Sequence, residues 1–214
     1  MNLIASVLHL SRQDVRALRI TDPYSLHRVV YSLYEDTRTD AEKHNSKPSG
    51  LLYADQGGNV NGRRILLLAD RPPADCVEGG FGQVQSKRVD DSFLDYSRYR
   101  FKVRVNPTRR DSATGKLKPV KGREAIATWF TQRAATSWGF AVVPEKLQVG
   151  TVAVQRFKAK NGHPVTLAQA ELQGVLEVTN PEQFKNSFRQ GIGRGRAFGC
   201  GLLQIVPHID HPFA

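Results

Sequence analysis

Apolar residues dominate Leu3 to Leu10, a run that predicts a buried strand. Asp22-Pro23 then supplies an N-cap and a first-turn proline, opening a helix expected to run to about Asp36. At about 100° per residue, Leu26, Val29, Val30 and Leu33 of that helix fall on one side, the core face. Gly50 to Ala54 and Arg63 to Ala69 read as strands joined by the turn-rich DQGGNVNG, a hairpin signal. A short turn or helix at Pro73 to Glu78 and a strand near Phe81 to Lys87 complete this half. Asp90 to Ser97 is polar and acidic, and the domain boundary is placed there.

The second half repeats the plan. A strand at Arg98 to Val105 precedes a helix from Arg123 to Trp138, strands within Gln148 to Lys160 and Pro164 to Thr179, a helix at Pro181 to Gln190 and a strand at Phe198 to Val206. In the helix from Arg123, the stripe Ile126, Trp129, Phe130 and Arg133 is read as core. The order β-α-β-β-α-β in each half predicts an α+β protein of two tandem ferredoxin-like, RRM-like domains, residues 1–95 and 96–214, each an antiparallel sheet with helices on one face. The repeat rests on element order alone, since the halves share no visible sequence.

Charge changes the picture. The 214 residues carry 31 Lys and Arg against 20 Asp and Glu, a net of +11. Residues 1–100 hold +1 of it and residues 101–214 hold +10, and Arg98 to Arg123 has ten basic residues against Asp111 alone. A polyanion is the natural partner. Arg98, Arg100, Lys102 and Arg104 alternate with Tyr99, Phe101, Val103 and Val105, so a strand would turn four cations to one face roughly 6.6 Å apart and its apolar residues to the core. The loop NPTRRDSATGKLKP, with Arg109, Arg110, Lys116 and Lys118, is read as extending this rail as a flexible basic arm. A lysine-rich face serving only solubility is the competing reading.

Two cysteines, Cys76 and Cys200, make no disulfide framework, and MNLIASVLHLSRQD lacks a basic segment ahead of its apolar stretch. No run approaches the roughly 18 apolar residues a spanning helix needs. The expectation is a cytoplasmic protein without membrane contact.

On the helix after Pro23, Tyr24, His27 and Tyr31 stack at i, i+3 and i+7 opposite the apolar face, with Arg28 beside them. One reading packs this second face against the other domain, giving a satisfied interface histidine. The other uses the imidazole, whose ordinary pKa near 6.5 lets it take or give a proton at neutral pH, with a phenol beside it to hold a phosphate. His9, His44 and His163 are weaker candidates, and His208 and His211 with Asp210 form an HxxH read as a tail rather than a metal site. Converging carboxylates are scarce in the basic half, which disfavours a metal-dependent nuclease with two-metal phosphodiester chemistry; no metal site and no small-molecule cofactor is expected. Near the end, Gly191, Gly193, Gly195, Gly199 and Gly201 surround Arg194 and Arg196. A helix precedes these glycines and a strand follows, the reverse of a dinucleotide fingerprint, which leaves a loop able to approach a phosphate chain or a plain cap and bend.

The stretches DPYSLHRVV, RFKVRVNPTRR, KGREAIATWFTQRAATSWGF and QGIGRGRAFGCGLL together resemble the CasE-type CRISPR repeat endoribonucleases of the RAMP superfamily, the Cascade subunits that cut precursor guide RNA. The resemblance spans most of the chain, with Glu35 to Asp95 matching in element order only. It implies recognition of a repeat stem-loop, metal-independent cleavage beside the stem, retention of the product and assembly with other Cascade-type subunits. By position it puts the catalytic pair on Tyr24 and His27 and the basic residue of the glycine loop on Arg196. Some relatives carry a lysine a turn beyond the histidine, where this chain has Tyr31-Ser32, so Arg28, Arg194 and Arg196 stand as candidates for the cation that steadies the transition state.

The expected reaction is attack by the RNA's own 2′-hydroxyl, leaving a 2′,3′-cyclic phosphate or a 3′-phosphate and a 5′-hydroxyl. The expected RNA-binding residues are Arg28, Arg98, Arg100, Lys102, Arg104, Arg109, Arg110, Lys116, Lys118, Arg194 and Arg196. A non-catalytic RNA-binding subunit of the same superfamily and an assembly protein docking an acidic partner are the alternatives.

Overall fold

Alternating burial along Ile4–Leu10 (β1) makes the first strand a two-faced one, with Leu8 and Leu10 turned to the core. The structure, a computed structural model, describes residues 3–44 and 48–208. It divides into two units: the residues up to Asp90 together with Ala197–Gly199, and Asp91–Arg196 together with the residues from Cys200 on.

In the first unit β1 is followed by α1 (Arg12–Ala17), α2 (Pro23–Ser32), α3 (Asp40–His44), β2 (Leu51–Asn59), β3 (Gly62–Ala69) and β4 (Gln83–Arg88). The sheet runs β2-β3-β1-β4, antiparallel throughout, with Leu8 opposite Ile65. Its core face meets Leu26, Val29, Val30 and Leu33 of α2, the stripe read from the sequence, around Tyr53, Ile65 and Leu67.

The helix is shorter than expected, ending at Ser32 rather than near Asp36. The Ser32 hydroxyl donates to the Val29 carbonyl, and Leu33 and Tyr34 close with tightened bonds to Val30 and Tyr31. The expected loop DQGGNVNG is instead mostly strand, and the register shift between Asp55 and Gly58 absorbs its extra residues. No helix forms at Pro73 to Glu78. A turn closed by a Val77–Phe81 bridge stands there, because paired prolines at 72 and 73 and the left-handed Gly79 and Gly80 leave no room for successive helical bonds.

The second unit holds β5 (Arg98–Val105), β6 (Thr108–Arg110), β7 (Leu117–Pro119), α4 (Arg123–Arg133), β8 (Phe140–Val142), β9 (Gln148–Lys158), β10 (Pro164–Val178), α5 (Pro181–Gln190) and β11 (Gln204–Pro207). Its sheet runs β11-β5-β10-β8, with β9 pairing along the other half of β10. Each unit thus has a ferredoxin-like strand order, with β1 and β3 central in the first, which among the described residues lacks the second helix, and β5 and β10 central in the second. Tyr99, Phe101, Val103 and Val105 are buried as expected, packed with Phe130, Phe140 and Phe184.

Of the stripe read on α4, Ile126 and Phe130 are buried, whereas Arg133 is exposed and Trp129 half-buried, its indole N–H donating to the Thr108 carbonyl. Beyond Arg133 the backbone stays helical through Trp138 as a wider π-type turn. The basic arm is an ordered ribbon of β6 and β7. Its turn is tied by Asp111, which accepts from the Thr114 backbone and hydroxyl and pairs with Lys118 at 2.7 Å. The last strand starts at Gln204 because the glycine-rich segment before it bends at every glycine. Cys76 and Cys200 are free, and among the described residues no helix is long and apolar enough to cross a membrane.

Candidate functional site

Asp22 and Ser25 cap α2 reciprocally, each side chain accepting from the other's backbone N–H, with Pro23 preset for the first turn. The helix therefore begins at a defined residue, and the stripe Tyr24, His27, Tyr31 takes a defined direction. The Tyr24 and His27 rings lie 6.1 Å apart at 19°, and the His27 and Tyr31 rings 4.0 Å apart at 42°. The Tyr31 phenol shares a hydrogen bond of 3.1 Å with the Ser49 hydroxyl.

Tyr24, His27 and Tyr31 are each half-buried, so the stripe is partly covered. The tripeptide Ala197–Gly199, which packs in the first unit, returns against it, and His27 is half-buried with the Phe198 ring 5.8 Å away. His27 Nδ1 stands 2.8 Å from the Ala197 carbonyl oxygen. A carbonyl only accepts, so Nδ1 carries the hydrogen and donates it, and the neutral ring keeps its lone pair on Nε2. Among the described residues Nε2 has no partner. Burial pushes the His27 pKa below 6.5, and the bond to Ala197 offsets part of that shift. At neutral pH the ring is uncharged and able to accept a proton at Nε2.

Tyr53, buried in β2, donates its phenolic O–H to the same Ala197 carbonyl at 3.0 Å. Gly199 is left-handed, φ +76°, and a Cβ there would come 3.0 Å from the Tyr53 ring. Neither Tyr53 nor Ala197 stood out in the sequence. LLYAD reads as a core strand, and a backbone carbonyl carries no residue-type signal.

The cationic residues separate into two groups. Arg98 pairs with Glu177 at 3.1 Å and Arg104 with Glu171 at 2.6 Å, so two of the four rail cations face carboxylates on β10. The β5–β10 register sets these partners opposite one another, and only Arg100 and Lys102 remain exposed without an ion-pair partner among the described residues. On the ribbon, Lys118 is taken by Asp111 and Arg110 donates to the Gly115 carbonyl, whereas Arg109 and Lys116 are exposed. Asp111 is held down to about 2 by its bond from Lys118, with the Thr114 hydroxyl and backbone helping. Arg28 and Arg194 are exposed, and Arg196 donates to the Gln190 carbonyl at 2.7 Å.

Among the other candidates, His9 is half-buried in β1 and His163 is exposed, while His211 and Asp210 lie outside the described residues. No group of three His, Cys, Asp or Glu able to hold a metal occurs among the described residues. Cys200 is buried and its thiol pushed up to about 11 by that burial, which keeps it protonated.

The chain is similar to known proteins over nearly its whole length. The family model described as CRISPR associated protein matches residues 1–207. The CRISPR-associated endoribonuclease Cse3 of Thermus thermophilus is 31% identical over 200 residues, covering 88% of this chain and 92% of that one. The CRISPR system Cascade subunit CasE of Escherichia coli K12 is 23% identical over 214 residues, 94% and 100% of the two chains. In fold, a structure of Cse3 bound to a 19-nucleotide RNA superposes with a TM-score of 0.79 at 24% identity, covering 96% of this chain and 99% of that one. The crystal structure of Cas6e from Escherichia coli K-12 does so with 0.68 at 21%, covering 96% and 100%. The chain therefore belongs to the CRISPR-associated protein family that includes Cse3 and CasE.

Proposed function

We propose that this protein is a CRISPR repeat endoribonuclease of the CasE type, which cleaves precursor RNA beside the repeat stem-loop and needs no metal for the step. One observation carries the reading: His27 is held by the Ala197 carbonyl at Nδ1, its Nε2 has no partner among the described residues, and burial holds its pKa below 6.5. The relatives support it, since Cse3 is named an endoribonuclease, one Cse3 structure holds an RNA representing a pre-cleavage complex, and CasE is named a Cascade subunit.

The RNA supplies the nucleophile. The 2′-hydroxyl upstream of the scissile phosphate attacks phosphorus as Nε2 takes its proton. The O2′–P bond forms while the P–O5′ bond breaks, the departing O5′ takes a proton from solvent water to become a 5′-hydroxyl, and the proton on Nε2 returns to solvent to restore the base. The other product is a 2′,3′-cyclic phosphate, which can open to a 3′-phosphate. Tyr24, one turn earlier on α2, holds the phosphate or the attacking hydroxyl, and Arg28, Arg194 and Arg196 are the cations on offer for the charge that develops. General base help is worth about 10²- to 10⁴-fold, so the remainder of the acceleration comes from holding the strand in line.

The stem is gripped through phosphates and shape, because an A-form major groove is too deep and narrow for its base edges to be read. Arg100, Lys102, Arg109 and Lys116 serve this grip directly, and Arg98, Arg104, Arg110 and Lys118 serve it after exchanging their internal partners. The product stays bound within a Cascade-type assembly in the cytoplasm, where two free cysteines suit a reducing compartment.

Cleavage of a labelled repeat hairpin in EDTA, followed by end-group analysis, tests the reading. The expected ends are a 2′,3′-cyclic phosphate and a 5′-hydroxyl, and a 2′-deoxy nucleotide at the cut site should stop cleavage while leaving binding intact. His27→Ala cutting at the wild-type rate would overturn the assignment. The part-burial of His27 favours a second reading, an RNA-binding subunit in which that histidine is structural; binding of the hairpin without any cleavage would establish it.

A further inference from the structure

We infer that Tyr53 is a positioning residue for His27, acting through the Ala197 carbonyl that both side chains share. This rests on the proposed role of His27 and extends it inward, to a side chain that never meets the RNA.

Tyr53 is 1% exposed and sits in the apolar core of the first unit among Leu8, Leu10, Ile65 and Leu67. A hydroxyl brought into such a core needs an acceptor, and the acceptor it finds is the Ala197 carbonyl at 3.0 Å. That oxygen has two lone pairs. One takes Tyr53 O–H and the other takes His27 Nδ1–H at 2.8 Å. The ring of the same tyrosine lies against Gly199, where a Cβ would come 3.0 Å from it. Tyr53 thus grips the returning tripeptide at both ends, Ala197 by its oxygen and Gly199 by its ring, and fixes the carbonyl's direction from the most rigid part of the unit.

That direction decides which imidazole nitrogen carries the hydrogen. A neutral histidine free in water prefers its hydrogen on Nε2, the atom that must be bare to act as base. Only an acceptor held squarely at Nδ1 reverses the preference. A carbonyl on a loop tied down by its own backbone alone would rotate and release the ring. Anchored to a core phenol, it does not. The residue beyond the carbonyl thereby plays the part an orienting group plays for any histidine base.

Tyr53→Phe keeps the ring and its packing on Gly199 and deletes the donor. Three measurements are made on it: single-turnover cleavage of a repeat hairpin at saturating protein, hairpin affinity, and ¹⁵N–¹H correlation of the His27 ring in protein labelled at histidine. The expected result is a rate lower by about 10- to 100-fold, affinity within about twofold, and a visible population of the Nε2–H tautomer where the wild type shows Nδ1–H. Gly199→Ala displaces the same tripeptide from its other end and should produce the same tautomer change. Leu51→Ala loosens the same core without touching Ala197, and should lower the melting temperature with the tautomer unchanged. Wild-type rate and wild-type tautomer in Tyr53→Phe would overturn the inference. His27→Ala is run in parallel: if it still cuts, the function reading fails, and if it is inactive while Tyr53→Phe is normal, only the role of Tyr53 fails.

Discussion

Replacing Glu171 with glutamine should tighten RNA binding, because Glu171 holds Arg104 at 2.6 Å on the face that Arg100 and Lys102 share. The side chains of Arg104 and Glu171 are 26% and 29% exposed, so the pair sits between core and water. A phosphate docking beside Arg104 would lie ~7 Å from the carboxylate, and repulsion at that distance is about 0.6 kcal/mol in bulk water and about 2.4 kcal/mol at an effective dielectric of 20. Salt at physiological strength screens over about 8 Å and trims the lower figure. The intermediate exposure puts the gain at roughly 0.5–1 kcal/mol, a two- to fivefold lower Kd.

The salt dependence should change as well. If Arg104 then neutralises one more phosphate, the log-log slope of affinity against salt steepens by about 0.7–0.9. Lys102→Ala, which removes a cation with no ion-pair partner among the described residues, should weaken binding and flatten the slope by a similar amount. Filter binding of a repeat hairpin across a salt series reads both quantities. Fold stability should hardly move, since a partly exposed pair contributes about 0–1 kcal/mol. Unchanged affinity and slope in Glu171→Gln, with Lys102→Ala equally silent, would refute the claim that this sheet face grips RNA.

Cleavage should be switched off by acid along a limb whose midpoint lies below 6.5, because burial lowers the His27 pKa and the base works only when neutral; a midpoint above 6.5 in single-turnover rates would contradict the assignment. The same group binds protons more readily in the unfolded chain, so its contribution to stability is present above pH 6.5 and lost as pH falls through the lower folded value, which His27→Gln should abolish in melts across that window. Gly201→Ala should destabilise by about 2 kcal/mol or more, since φ is +86° and the added Cβ would meet the Ile192 carbonyl oxygen at 2.5 Å; a melting temperature within 1 °C of wild type, against the roughly 2–4 °C expected per kcal/mol, would contradict it. Phe130→Ala, at a fully buried position, should cost about 3–5 kcal/mol in denaturant titrations, and a loss under 1 kcal/mol would mean that this aromatic cluster is not the core of its unit.

What could be read from the chain, and what could not, follows from the range of the forces involved. The two faces of α2 and the alternation of β5 are local periodicities, visible in any window of seven residues, and both appear in the fold as expected. The neutralisation of the rail is a matter of register between strands some seventy residues apart. Arg98 and Arg104 are separated by six, as are Glu171 and Glu177, so an antiparallel pairing that aligns one couple aligns the other on the same face. The charge count was correct, but it took the pairing of β10 to show which cations remain for a ligand.

The candidate site divides in the same way. Its outward chemistry, an imidazole between two phenols, was written along one helix stripe. The inward half was hidden because its central atom is a main-chain oxygen, whose identity no residue letter records. Tyr53 looks in sequence like one more aromatic in a buried strand. Its hydroxyl makes sense only once the glycines at 195, 199 and 201, each left-handed, bend the chain so that Ala197 and Phe198 come back to α2. The arginines of that loop are the residues charge counting selects, while the hydrogen-bonded contact with His27 is made by the alanine that follows them. A glycine-rich loop next to a general base should therefore be searched for carbonyls as well as for cations, since a carbonyl at Nδ1 leaves Nε2 bare to act as base, whereas an arginine donating to Nδ1 would put the hydrogen on Nε2.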